Sequence, residues 1–161
     1  MVGGVACGRL AEERKAWRKN HPHGFVAKPA TGPDGSTNLM VWHCIIPGKS
    51  GTDWEGGHYP LTIYFSEDYP SQPPKCMLPK GFFHINVYPS GDVCLSILNA
   101  ATGWSPAITV KQILLGIQEL LEHPNPSSSA QFECNKLYME QDKTEYKRRV
   151  KEQAKQYPAL I

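Results

Sequence analysis

No run of apolar residues in this chain approaches the roughly 18 needed to cross a bilayer, so no membrane partner is expected. The opening Met1-Val2-Gly3-Gly4-Val5-Ala6-Cys7 lacks the apolar core of a signal peptide, and Val2 stands where N-myristoylation requires glycine. Neither secretion nor a lipid anchor is therefore expected. Charge of one sign is also scarce: 17 Lys and Arg face 15 Asp and Glu, a formal net charge of +2. That is too little to argue for a nucleic-acid partner, so any basic binding surface has to come from local clustering. Cysteines are few, odd in number and widely spaced (Cys7, Cys44, Cys76, Cys94, Cys134), with no C-x-x-C pair. This argues against a zinc site and against a disulfide framework, and suits reduced thiols in a nuclear and cytoplasmic protein. A phosphate-binding G-x-x-x-x-G-K loop is missing, and no cofactor is implied.

What is present is ordinary for a globular chain: 40% hydrophobic and 20% charged residues over 161 positions. That length suits one domain, residues 1–161, with a core that needs no staples. Residues 6–19 are rich in helix formers, with Leu10, Arg14 and Trp17 on one face, and His21-Pro22 and Gly24 end that helix. Strand-like stretches come next at 25–27, 39–46 and 59–65, with a short fourth at 76–78. Gly32-Pro33-Asp34-Gly35 supplies a hairpin turn between the first two. Tyr69-Pro70 is a candidate cis peptide.

Residues 79–108 show neither helical nor strand period, yet carry Phe82, Phe83, Val87, Tyr88, Leu95, Ile97 and Trp104, which marks a packed segment. The clearest helix comes after it. Thr109 and Gln112 stand at capping-box spacing, and Val110, Ile113, Leu114, Ile117, Leu120 and Leu121 form its stripe until His123-Pro124-Asn125-Pro126 stops it. Residues 130–157 read as two charged surface helices. The pattern predicts an α+β domain: an N-terminal helix, a four-stranded antiparallel meander, a long packed segment and C-terminal helices.

Cys94 lies in that packed segment. A cysteine between Val93 and Leu95 is by itself more often an inert buried thiol than a nucleophile. Its company argues the other way: His84 and Asn86 lie upstream, and Gly91 allows a close backbone approach. An amide such as Asn86 can donate to the oxyanion that forms when a thioester is attacked, or can simply brace a loop. No Lys or Arg adjoins the thiol in sequence, and Asp92 nearby would disfavour a thiolate.

Tyr69-Pro70-x-x-Pro73-Pro74, His84-x-Asn86, Gly91-x-Val93-Cys94-Leu95 and Trp104-x-Pro106, in that order and spacing, resemble the ubiquitin-conjugating enzyme family over nearly the whole chain. Within it the segments 14–22, 47–57 and 113–121 look most like the SUMO-conjugating branch, and 47–52 resembles an insertion that ubiquitin carriers lack. The resemblance implies the ubiquitin-conjugating fold. It also implies that Cys94 takes SUMO as a thioester from a SUMO-activating enzyme and passes it, alone or with SUMO ligases, to lysine-bearing substrate proteins. Asn86 matches a catalytic or loop-stabilising asparagine, and His84 and Tyr88 match loop-structural positions. Arg14, Arg18 and His21, otherwise an ordinary solvated basic face, match a surface that binds the activating enzyme and a second, non-covalent SUMO.

The acceptor side departs from the family pattern. Lys75, Ser90, Asp92, Ser128, Ala130, Gln131 and Asn135 occupy its positions. Ser128 replaces an expected aspartate, Ser129 a proline, Asn135 a tyrosine, Met77 a lysine and Asp92 a threonine. Ile85 stands where proline is usual, which adds a backbone donor. The expectation is a SUMO carrier with altered or slowed acceptor recognition. A largely non-catalytic SUMO-binding module, a cysteine hydrolase using Cys94 and His84, and a ubiquitin carrier are the alternatives.

Overall fold

A computed structural model gives residues 4–160 of the protein. The readings made on Met1, Val2 and Gly3 lie outside the described residues. Helix α1 spans Gly4–Lys19, and four strands come after it: β1 Val26–Thr31, β2 Thr37–Pro47, β3 His58–Tyr64 and β4 Lys75–Met77. They pair antiparallel in the order β1-β2-β3-β4. Three further α-helices follow among the described residues: α2 Val110–Glu122, α3 Phe132–Met139 and α4 Thr144–Gln156. No helix among the described residues is long and apolar enough to cross a membrane.

The meander is the expected one, with a longer first strand. Pro29 hides β1 in the sequence, since proline cannot donate to a ladder; β1 is an edge strand, where proline is tolerated, and the register shifts at Pro29/Ala30. Gly32 N–H donates to Ser36 O at 2.8 Å and closes the turn into β2. Alternate residues of β2 and β3 (Trp42, Cys44, Ile46; Tyr59, Leu61, Ile63) are buried on one face of the sheet. Helices α1 and α2 both contact β2.

Helix α2 begins as its capping box dictates: Gln112 N–H donates to Thr109 Oγ1, and Thr109 N–H donates to Gln112 Oε1. Its whole predicted stripe is buried. Helix α1 corrects one detail, because its buried face is Ala6, Leu10, Glu13 and Trp17, with Arg14 half-buried at its margin. The buried Glu13 is a joint. Its carboxylate accepts from Val110 N–H at 3.0 Å and from Arg9 Nε at 2.9 Å, while the Arg9 guanidinium donates to Pro106 O and Ile108 O. Tyr69-Pro70 is cis, and Trp104 Nε1 donates to Pro70 O at 2.9 Å.

Candidate active site

Between β4 and α2 the chain forms no long regular element, only a 3-10 turn at Ser96–Leu98 and two isolated bridges, Met77 to Asp92 and Val87 to Val93. It is nonetheless tightly held. Leu78 N–H donates to Gly91 O, and Val93 N–H donates to Cys76 O, so the stretch leading to Cys94 runs along β4. Gly91 adopts φ +102°, and a Cβ there would lie 2.1 Å from Leu78 O. No side chain fits that approach. Cys94 N–H then donates to Asn86 O at 2.7 Å.

Asn86 is fully buried and every polar group of its side chain is engaged. Nδ2 donates to Asn125 O at 2.8 Å and Ser128 O at 2.9 Å, and Oδ1 accepts from Asn125 N–H at 2.8 Å. An amide nitrogen has two protons. Both hold the 125–128 loop here, so none is left for an oxyanion. Of the two roles open from the sequence, this geometry is that of the brace.

His84 is likewise buried. Nδ1 accepts from Asn86 N–H at 3.0 Å, so Nε2 carries the proton and donates to Leu120 O at 2.8 Å. Burial drives its pKa down to about 4, against hydrogen bonds at Leu120 and Leu121 that favour the charged ring. With both nitrogens occupied it has no capacity to act as the base of a cysteine hydrolase, and that alternative falls. Tyr88 contributes through its backbone, N–H to Asp92 O at 2.9 Å; its ring is about half exposed.

Cys94 is half-buried and lines an open hollow of about 390 Å³ with Leu95, Ser96, Asn99, Thr102, Leu120, Asn125 and Ser128. Apart from the thiol, none of these side chains ionises. Cys44, Cys76 and Cys134 are buried instead, and burial pushes their thiols upward, Cys44 and Cys134 to about 12. Nucleophilic chemistry needs access and a thiolate. Cys94 has the access that those three lack.

The acceptor positions divide. Ser128 joins the hollow of Cys94, and Ala130 N–H and Gln131 Nε2 fasten the backbone at Ile85 O and Phe82 O. Asn135 sits back on α3, outside that hollow, with Oδ1 shielded from water and unpartnered. Lys75 Nζ lies 3.6 Å from Asp92 Oδ2, an exposed ion pair, and Ser90 Oγ donates to the same carboxylate oxygen at 3.3 Å. Arg14 and Arg18 line one hollow with Lys15 and Leu39, while His21 stacks on Trp17 one turn on, ring centroids 5.1 Å apart.

Sequence reasoning missed three supporting side chains. Glu13 and Gln153 each fall at helical spacing on an otherwise apolar buried face, which was the available signal. Trp54, in the 47–57 stretch, is buried with its ring 5.7 Å from that of His84 and 6.1 Å from that of Phe82.

Residues 9–154 match the model of a family described as ubiquitin-conjugating enzyme. Over all 161 residues, and over the full length of the relative, the chain is 71% identical to the SUMO-conjugating enzyme SCE1 of Arabidopsis thaliana. It is 58% identical to the Sumo-conjugating enzyme ubc9 of Dictyostelium discoideum, covering 98% of each chain. Identity to the SUMO-conjugating enzyme UBC9 of Caenorhabditis elegans is 52%, covering 99% of this chain and 96% of that one.

Proposed function

The chain belongs to the ubiquitin-conjugating enzyme family, and from that membership we propose that it carries SUMO as a thioester on Cys94 and delivers it to lysine side chains. It is a SUMO-conjugating enzyme, and SUMO and substrate proteins are its partners. A SUMO-activating enzyme is the donor in this reading, and SUMO ligases assist delivery. The first step is transthiolation: the Cys94 sulfur forms the new thioester bond, the donor's C–S bond breaks, and the thiol proton passes to the departing thiol. In the second, a lysine amine attacks the thioester carbonyl and forms the C–N bond of the isopeptide, the bond from that carbonyl carbon to the Cys94 sulfur breaks, and the amine's proton passes to the departing Cys94 thiolate. A nuclear and cytoplasmic setting, where thiols stay reduced, suits such a carrier.

The observation that carries the reading is the placement of Cys94: an accessible thiol on a segment whose neighbours are fastened residue by residue. Arg14 and Arg18, joined by Lys15, offer a basic surface suited to the acidic faces of the modifier and of its activating enzyme, and His21 stacks on Trp17 beside it. The reading is tested by charging. With SUMO, activating enzyme and ATP, the wild type gives a reductant-labile adduct, and Cys94→Ser gives none that is labile. A labile adduct persisting in Cys94→Ser overturns it.

Acceptor recognition is the second part of the proposal. Because Asp92 already pairs with Lys75, an acidic acceptor residue has to compete with an internal carboxylate for that cation. The hollow beside Cys94 offers the incoming ammonium no carboxylate. Transfer is therefore slow without assistance and weakly dependent on an acidic residue after the lysine. Discharge onto peptides of the form hydrophobic-Lys-any-Glu and their Gln counterparts measures this. Fast, strongly Glu-dependent transfer contradicts it.

A further inference from the structure

Helix α4 reaches the reacting segment through one side chain. Gln153 is 7% exposed, its Oε1 accepts from Phe83 N–H at 2.7 Å, and its Nε2 donates to Phe83 O at 3.1 Å. Phe83 lies in no strand. Gln153 thus supplies both bonds that a neighbouring strand would otherwise make, and a buried backbone group left without a partner is costly. One turn earlier, the Arg149 guanidinium lies 4.5 Å over the Phe83 ring. The same helix therefore grips Phe83 by backbone and by ring.

The residues after Phe83 make the grip consequential. His84 is the next residue, and its ring receives the Asn86 N–H. The Asn86 carbonyl receives the Cys94 N–H, and its amide holds Asn125 and Ser128 at the wall of the Cys94 hollow. The line of bonds runs from α4 through Phe83, His84 and Asn86 to Cys94. We propose that Gln153 is a positioning residue for SUMO transfer, holding Phe83 so that Asn86 keeps the Cys94 backbone and the 125–128 loop in register. This rests on the thioester-carrier reading above. Charging requires an accessible thiol, whereas transfer requires carbonyl, amine and surrounding loop in one geometry, and a misplacement of about 1 Å can cost about a hundredfold.

Gln153→Met keeps the length of the side chain and removes both bonds; Gln153→Glu keeps the acceptor and removes the donor. Each is compared with wild type below its melting temperature, for charging, for single-turnover discharge onto free lysine, and by NMR of the Phe83 amide and the Asn86 side-chain NH2. For Gln153→Met, charging stays within about twofold, discharge falls about tenfold, and both NMR signals move; Gln153→Glu shows a smaller loss of discharge. Should Gln153→Met fail to fold, Gln153→Glu carries the same comparison. Discharge within about twofold of wild type although the Phe83 signal has moved, or charging and discharge falling in equal proportion, overturns the proposal. A wild type that never charges overturns the carrier reading, and this inference with it.

Discussion

At the scale of single residues, neutrality is what His84 contributes. Its Nδ1 must accept from Asn86 N–H, so a second proton on the ring would break the bond that orients Asn86. An unfolded histidine titrates near 6.5, and the native ring near 4. Between these values the unfolded chain binds a proton that the folded chain refuses. Stability is therefore full above pH 6.5 and falls as pH drops through the window to 4, by about 3 kcal/mol from this residue. Urea midpoints of wild type and His84→Gln at pH 7 and 4.5 check it, the variant being less stable at pH 7 and closer to wild type at 4.5. Asp92 gives a second residue-scale prediction. Asp92→Thr releases Lys75 and raises the preference for a Glu-bearing acceptor peptide by up to about fivefold, the limit set by an exposed pair of about 1 kcal/mol. Unchanged preference removes Asp92 from the determinants of specificity.

At the scale of elements, the joint between α1 and α2 depends on Glu13. Removing its carboxylate leaves the buried Val110 N–H without a partner and frees Arg9, and Glu13→Ala is expected to cost about 1–3 kcal/mol in chemical unfolding. The turn before Cys94 is less forgiving. In Gly91→Ala the new Cβ meets Leu78 O at 2.1 Å, so the segment has to leave β4. Thioester yield and melting temperature fall together; wild-type charging would contradict the placement of this turn. Elements of this kind differ in how plainly the sequence announces them. Helix α2 was legible because period, capping box and proline stop agree. Strand β1 was legible only in part, since Pro29 reads against a strand until its edge position is known. The burial of Glu13 was legible only as its spacing on the apolar face of α1, because a carboxylate on a helix reads as exposed unless the distant N–H it serves is in view.

Across the whole molecule, the site is assembled from parts far apart in sequence. The 79–108 segment has no period because its order comes from elsewhere: Leu120 O receives His84, the loop at Asn125 and Ser128 receives Asn86, and Gln131 and Gln153 take Phe82 and Phe83. Local sequence could mark that segment as packed and Cys94 as its candidate nucleophile. It left both roles of Asn86 open, and the bracing contacts of its amide are to carbonyls about 40 residues downstream, which no local pattern announces. The same architecture separates the cysteines. The core encloses Cys44, Cys76 and Cys134, and the hollow at the edge of the packed segment exposes Cys94.

That separation gives the most direct test of the carrier claim: alkylation of the five cysteines before and after charging with SUMO, mapped peptide by peptide. Cys94 is expected to be labelled in the uncharged protein, protected in the charged one and labelled again after reductant, while Cys7 is unchanged and the three core thiols stay slow throughout. Equal labelling of Cys94 in both states, or protection gained at another cysteine, would contradict it.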